Sequence, residues 1–163
     1  GKGVDLARMV GVPDLIIADR GHAAGLRMRD HGAFADPAAE NASVLIECGQ
    51  HWQASSGSLA IESAVRFLTS LDMIDPGVAR SAGCDAPAAP QAHWIVEKAV
   101  TIENERFTFA EKFTGGEILP KADTLLGHDG ETPVYTPFDE CLLIMPSKRL
   151  WRGQTAVRLA KRG

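Results

Sequence analysis

Long apolar runs are absent: none of the 163 residues belongs to a stretch approaching the ~20 apolar residues of a membrane helix. No membrane partner is therefore expected. Gly1-Lys2-Gly3-Val4-Asp5 lacks the basic-then-apolar layout of a signal peptide. Cysteine is scarce, with Cys48, Cys84 and Cys141 widely spaced and odd in number. That argues against a disulfide scaffold and for a reducing cytoplasm. Compact zinc signatures of the His-Glu-x-x-His or Cys-x-x-Cys kind are missing, as is the Gly-x-Ser-x-Gly turn of serine hydrolases. Gly115-Gly116 has neither the lysine nor the spacing of a phosphate loop.

Excess positive charge is also absent overall. The net charge of −4 excludes the usual profile of a nucleic-acid binder. The sign is uneven, however. Lys148, Arg149, Arg152, Arg158, Lys161 and Arg162 end the chain with no acidic residue from Ser147 onward. Such a tail reads as a solvated strand face, or as a rim attracting an anionic small substrate.

What is present is ordinary globular composition, 45% hydrophobic and 23% charged, enough for one domain or two small ones. The first part alternates helix and strand. Gly3–Val10 reads as a helix stopped by Gly11, with Pro13 beyond. Asp14–Asp19 reads as a short buried strand, and the Gly-, His- and Arg-rich stretch from Arg20 to Pro37 as a long loop. Ser43–Glu47 is a second strand. Ser55–Leu71 carries apolar residues at helical spacing, with Ser55, Ser56 or Ser58 as candidate N-cap. The expected fold is α/β, part of a mainly parallel sheet with helices, over residues 1–75. Residues 76–91, rich in Pro and Gly, read as a linker. Residues 92–163 read as a small all-β barrel or sandwich domain. Two strands cannot bury a proper α/β core, so the first part reads as the back half of a larger domain and the chain as a fragment.

The chemistry concentrates at Leu45-Ile46-Glu47-Cys48-Gly49-Gln50-His51-Trp52. An apolar strand drives into a carboxylate, and ligands of open α/β sheets sit outside the carboxyl ends of strands. A partly apolar cleft there tunes a carboxylate for acid–base work near neutral pH. The alternative is a strand-end glutamate that only caps a loop. Glu47 and His51 lie ~13 Å apart in an unbroken strand, and a turn at Gly49 would bring them closer. Cys48 beside Glu47, with His51 three residues on, is a weaker nucleophile candidate than a core thiol. Arg27 and Arg29, between the glycines and Asp30, present guanidinium forks for a carboxylate, or pair with Asp30 or Asp36.

The segments PDLIIAD, GHAAGLRMRDHGAF, VLIECGQHW, GGEILPKADTLLGHDG and VYTPFDECLLIMP resemble the C-terminal half of the succinylglutamate desuccinylase / aspartoacylase family, in the zinc carboxypeptidase superfamily. The resemblance runs over nearly the whole chain, most specifically at Leu-Ile-Glu-Cys-Gly. It implies a zinc-dependent deacylase acting on a small N-acyl amino acid or related amide. Glu47 would be the general base that activates water and then the acid that protonates the leaving amine. His22 and His51 would line the cleft, and Arg27 and Arg29 would add anion contacts. The family's zinc ligands precede the glutamate strand, so no metal ligand is assigned to this chain and its zinc site is expected to be incomplete. A non-catalytic binding or structural module is the alternative. The β part is faintly similar to a biotinyl/lipoyl domain, with Lys148 after Met145-Pro146-Ser147 as the displayed lysine, but without the flanking methionine pattern. A sheet edge left open by truncation would favour a homo-oligomer.

Overall fold

The computed structural model describes residues 1–19 and 26–163. It divides into two compact units, one from the described residues of Gly1–Ile16 and Ala24–Ala92, the other from those of Ile17–Ala23 and His93–Gly163.

In the first unit, α1 (Lys2–Val10) ends as its sequence dictates. Gly11 adopts a left-handed φ of 80° and its N–H returns to the Ala7 carbonyl. Leu6 and Val10, one turn apart, are buried. The stretch read as a long loop is partly helical: a 3-10 turn at Met28–Asp30 is followed by α2 (Gly32–Ala35). The Lys2 ammonium donates to the carbonyls of Ala33 and Asp36 at 3.0 and 2.6 Å, which satisfies acceptors at the end of α2. α3 (Ala54–Ser70) starts after Gln53 rather than at a serine. The Ser56 hydroxyl instead donates back to the Gln50 carbonyl at 2.8 Å. Residues 76–91, expected as a linker, open with α4 (Pro76–Ser81), capped by the Asp75 carboxylate on the Gly77 N–H. Ala79 and Cys84 in this stretch are buried.

The two strands expected to form a parallel sheet, 14–19 and 43–47, do not pair with each other among the described residues. β1 (Leu15–Ala18) is at the edge of a five-stranded sheet ordered β1-β2-β8-β7-β4. Its other members are β2 (Ala92–Thr101), β4 (Ile118–Leu119), β7 (Cys141–Ile144) and β8 (Thr155–Arg162). The β2–β8, β7–β8 and β4–β7 pairs are antiparallel. Residues 43–47 alternate in burial but belong to no ladder. A strand needs a neighbour, and the described residues supply none there.

The second unit pairs that sheet with a three-stranded one, β3-β5-β6. Its strands are β3 (Phe107–Phe109), β5 (Leu125–Asp129) and β6 (Thr132–Tyr135). Side chains from both sheets share one core of Val100, Ile102, Phe107, Leu126, Leu143, Val157 and Leu159. Two open sheets facing each other give a sandwich-like arrangement and not a closed barrel. The Asp129-Gly130 turn joins β5 to β6, with Gly130 at φ 62°. The buried Asp129 carboxylate accepts the N–H groups of Glu103 and Asn104 at 2.8 and 3.0 Å, fixing the turn before β3.

Two glycines should respond to alanine with opposite sign. A Cβ on Gly127 would meet the Thr108 carbonyl oxygen and stand 2.9 Å from the Phe107 ring. Gly127→Ala is expected to destabilise by about 1–3 kcal/mol. Gly57, on α3, has open space around its Cβ position. Gly57→Ala is expected to stabilise by about 0.4–1 kcal/mol through lower unfolded-chain entropy. Urea unfolding midpoints of the two variants check both signs.

Candidate functional site

Alternation governs the segment that carries Glu47. Val44, Ile46 and Cys48 are half-buried, whereas Leu45 and Glu47 are exposed. A period of two in burial is the mark of extended backbone with one covered face. The inner face lies on α3, where Val44, Ile46 and Cys48 line a cavity of roughly 310 Å³ with Ala60, Ser63, Ala64 and Phe67. Leu45 is 82% exposed on the outer face. The chain then turns at Gly49, whose φ is 110° and whose Cβ position would lie 2.8 Å from the Ser56 hydroxyl. Only a glycine accommodates both the angle and the approach. His51 follows in the exposed turn before α3.

Glu47 thus stands at the end of an extended segment, on its open face. The partly apolar cleft expected around it is not supplied by the described residues. Arg27 is half-buried and Arg29 exposed; Arg29 lies 3.6 Å from Asp30, the partner the sequence offered. His22 lies outside the described residues. A larger cavity of roughly 490 Å³ is bounded by α1, α3 and α4, through Val10, Arg66, Ala79 and Cys84 among others. None of the sequence candidates lines it. Arg66 is already engaged there, donating to Glu62 at 2.8 Å and to the Ala86 carbonyl at 2.7 Å.

Among the described residues, no three His, Cys, Asp or Glu side chains gather as a metal site. A His-x-x-Glu spacing does occur, from His128 to Glu131. Both residues are exposed at the β5–β6 hairpin, with no third ligand. The described residues of this chain therefore do not fit a zinc ion on their own. The basic tail is partly neutralised: Arg158 pairs with Asp19 at 3.1 Å and Lys161 with Glu97 at 3.0 Å. Lys148 lies in the ten-residue connection between β7 and β8 and not at the tip of a tight hairpin. The cavity beside Glu47 was hidden in the sequence, although two signals mark it. Val44, Ile46 and Cys48 share a strand face, and Ala60, Ala64 and Phe67 share a helix face.

The three thiols are unpaired and unequal. Cys141 is fully buried, and burial pushes its thiol up to about 11. Cys84 is also buried, while Cys48 is half-buried beside the smaller cavity. A small disulfide reagent on the native protein at neutral pH should label Cys48 at least about tenfold faster than Cys141. Cys48→Ser should remove that fast phase, and equal rates at all three thiols would contradict the burial order.

No protein-family model matches the chain, and no curated protein matches it. Solved structures do. The chain is similar to succinylglutamate desuccinylase from Vibrio parahaemolyticus at 14% identity and a TM-score of 0.59, covering 98% of this chain and 44% of that one. It is similar to the Vibrio cholerae succinylglutamate desuccinylase at 13% identity and a TM-score of 0.63, covering 97% of this chain and 43% of that one. The chain spans less than half the length of these structures, and over that span it has the fold of succinylglutamate desuccinylase.

Proposed function

We propose that this chain is the C-terminal part of a deacylase that hydrolyses the amide bond of a small N-acyl amino acid or related amide. The observation that carries the reading is the likeness to two succinylglutamate desuccinylase structures over nearly all of this chain. Glu47 is the acid–base group. Its position on the open face of an extended segment, just before the Gly49 turn, suits a carboxylate that meets substrate. In the reaction, the carboxylate takes a proton from water as the water oxygen bonds to the acyl carbon. It then delivers that proton to the amine nitrogen as the C–N bond breaks, so the carboxylate is regenerated. Arg27 and Arg29 attract the substrate's carboxylates, with His22 and His51 at the cleft. The resemblance implies zinc as the cofactor, with its ligands expected mainly on polypeptide that precedes the Glu47 segment. The scarce, widely spaced cysteines are the ground for placing this chain in a reducing compartment, the cytoplasm.

The test uses the longest polypeptide that the gene encodes, assayed on a panel of N-acyl amino acids beginning with N-succinylglutamate. Glu47→Gln should retain the circular dichroism spectrum and lose turnover by about 10²-fold or more. Turnover unchanged by that substitution would overturn the role of Glu47. Absence of hydrolysis by the unaltered long polypeptide on every amide of the panel would overturn the deacylase reading.

A further inference from the structure

We infer that the cavity bounded by α1, α3 and α4 binds a free α-amino acid with a medium apolar side chain. Its volume of roughly 490 Å³ is in the range of small-ligand sites. Three kinds of group line it. The first is a pair of guanidiniums, those of Arg66 and Arg80. The Arg66 side chain is 14% exposed, and its Nε and Nη2 are held by Glu62 and the Ala86 carbonyl. Its Nη1 has no partner among the described residues and remains for a ligand carboxylate. A guanidinium fixed in advance loses little freedom on binding. The second is the Asp85 carboxylate. Among the described residues it forms no ion pair, with either arginine or with any other group. The third is apolar surface, with Val10 and Ala79 both buried.

The charges select a dipolar ion. α1 ends at Val10 and α3 at Ser70, and both residues line the cavity. Helix C-termini carry partial negative charge and favour a cation. Asp85 and the two helix ends therefore suit an ammonium, while the two guanidiniums suit a carboxylate. A plain anion would leave Asp85 unpaired, and a plain cation would meet the guanidiniums. An α-amino acid carries both charges, and its side chain covers Val10 and Ala79. The cavity is remote from Glu47. Glu47 precedes the N-terminus of α3, the cavity is at its C-terminus, and the 17 residues between span about 25 Å. The inference goes beyond the proposed function and uses neither Glu47 nor zinc.

Isothermal titration calorimetry at two temperatures, on the longest polypeptide that the gene encodes, tests it. The probe is L-leucine, which should bind with a dissociation constant below about 1 mM. Isocaproate lacks the ammonium and isoamylamine lacks the carboxylate. Each should bind at least about tenfold more weakly than L-leucine. Arg80→Gln and Asp85→Asn alter exposed side chains, so both should keep the circular dichroism spectrum. Each should weaken L-leucine by about tenfold, and Asp85→Asn should bring L-leucine and isocaproate within about threefold of each other. No heat from L-leucine up to about 10 mM at either temperature would overturn the inference. Isocaproate binding as tightly as L-leucine would overturn it in favour of a plain anion site. L-leucine binding unchanged by both substitutions would put the amino acid elsewhere on the polypeptide, and would overturn it too. The readout is binding and not turnover, so its failure leaves the deacylase reading to be judged by its own assay.

Discussion

A strand backbone carries a donor and an acceptor at every residue, and between Val44 and Cys48 the described residues satisfy none of them from another strand. The rest of the first unit is arranged around that segment. α3 covers its inner face, Gly49 turns the chain out of it, and Glu47 projects from its outer face. α1, α3 and α4 pack with few fully buried side chains, and large apolar groups such as Leu45, Ile61 and Met73 remain exposed.

The second unit is built differently. Two sheets enclose Phe107, Leu126, Leu143, Val157 and Leu159, each at 1% exposure or less. Asp129 ties the turn before β3 to the end of β5 with two backbone hydrogen bonds. Its edges are short, as in β4 with two residues, which limits pairing with other chains. This unit buries a core of its own, whereas the first shows its inner surface. The likeness to the solved desuccinylases covers both units.

Much of this was legible in the sequence. Helical spacing and a glycine stop placed α1, and the same spacing placed α3 to within a residue of its start. The all-β character expected of residues 92–163 is found as β2 to β8. The Pro-rich stretch after Asp75 misled, because Pro76 opens a helix at its first turn, where no N–H is needed. The serines before α3 misled because Ser56 bonds the Gln50 carbonyl instead of capping. The strand expected at Ser43–Glu47 joins no ladder among the described residues, because strand composition reports burial, not the presence of neighbours. The candidate site was legible only in part. The run into Glu47 marked the approach to the Gly49 turn, but not the exposure of that carboxylate. The cavity by Ser63 needs the strand face and the helix face together, and neither names it alone.

The central claim is that these residues hold one part of a deacylase site whose metal ligands come from elsewhere. Zinc content by elemental analysis, on this 163-residue chain and on the longest polypeptide its gene encodes, tests it most directly. The account predicts close to one zinc per long polypeptide and essentially none on the chain alone. Stoichiometric zinc on these residues alone would contradict it, because the ligands would then lie here. No zinc on the long polypeptide would contradict it as well.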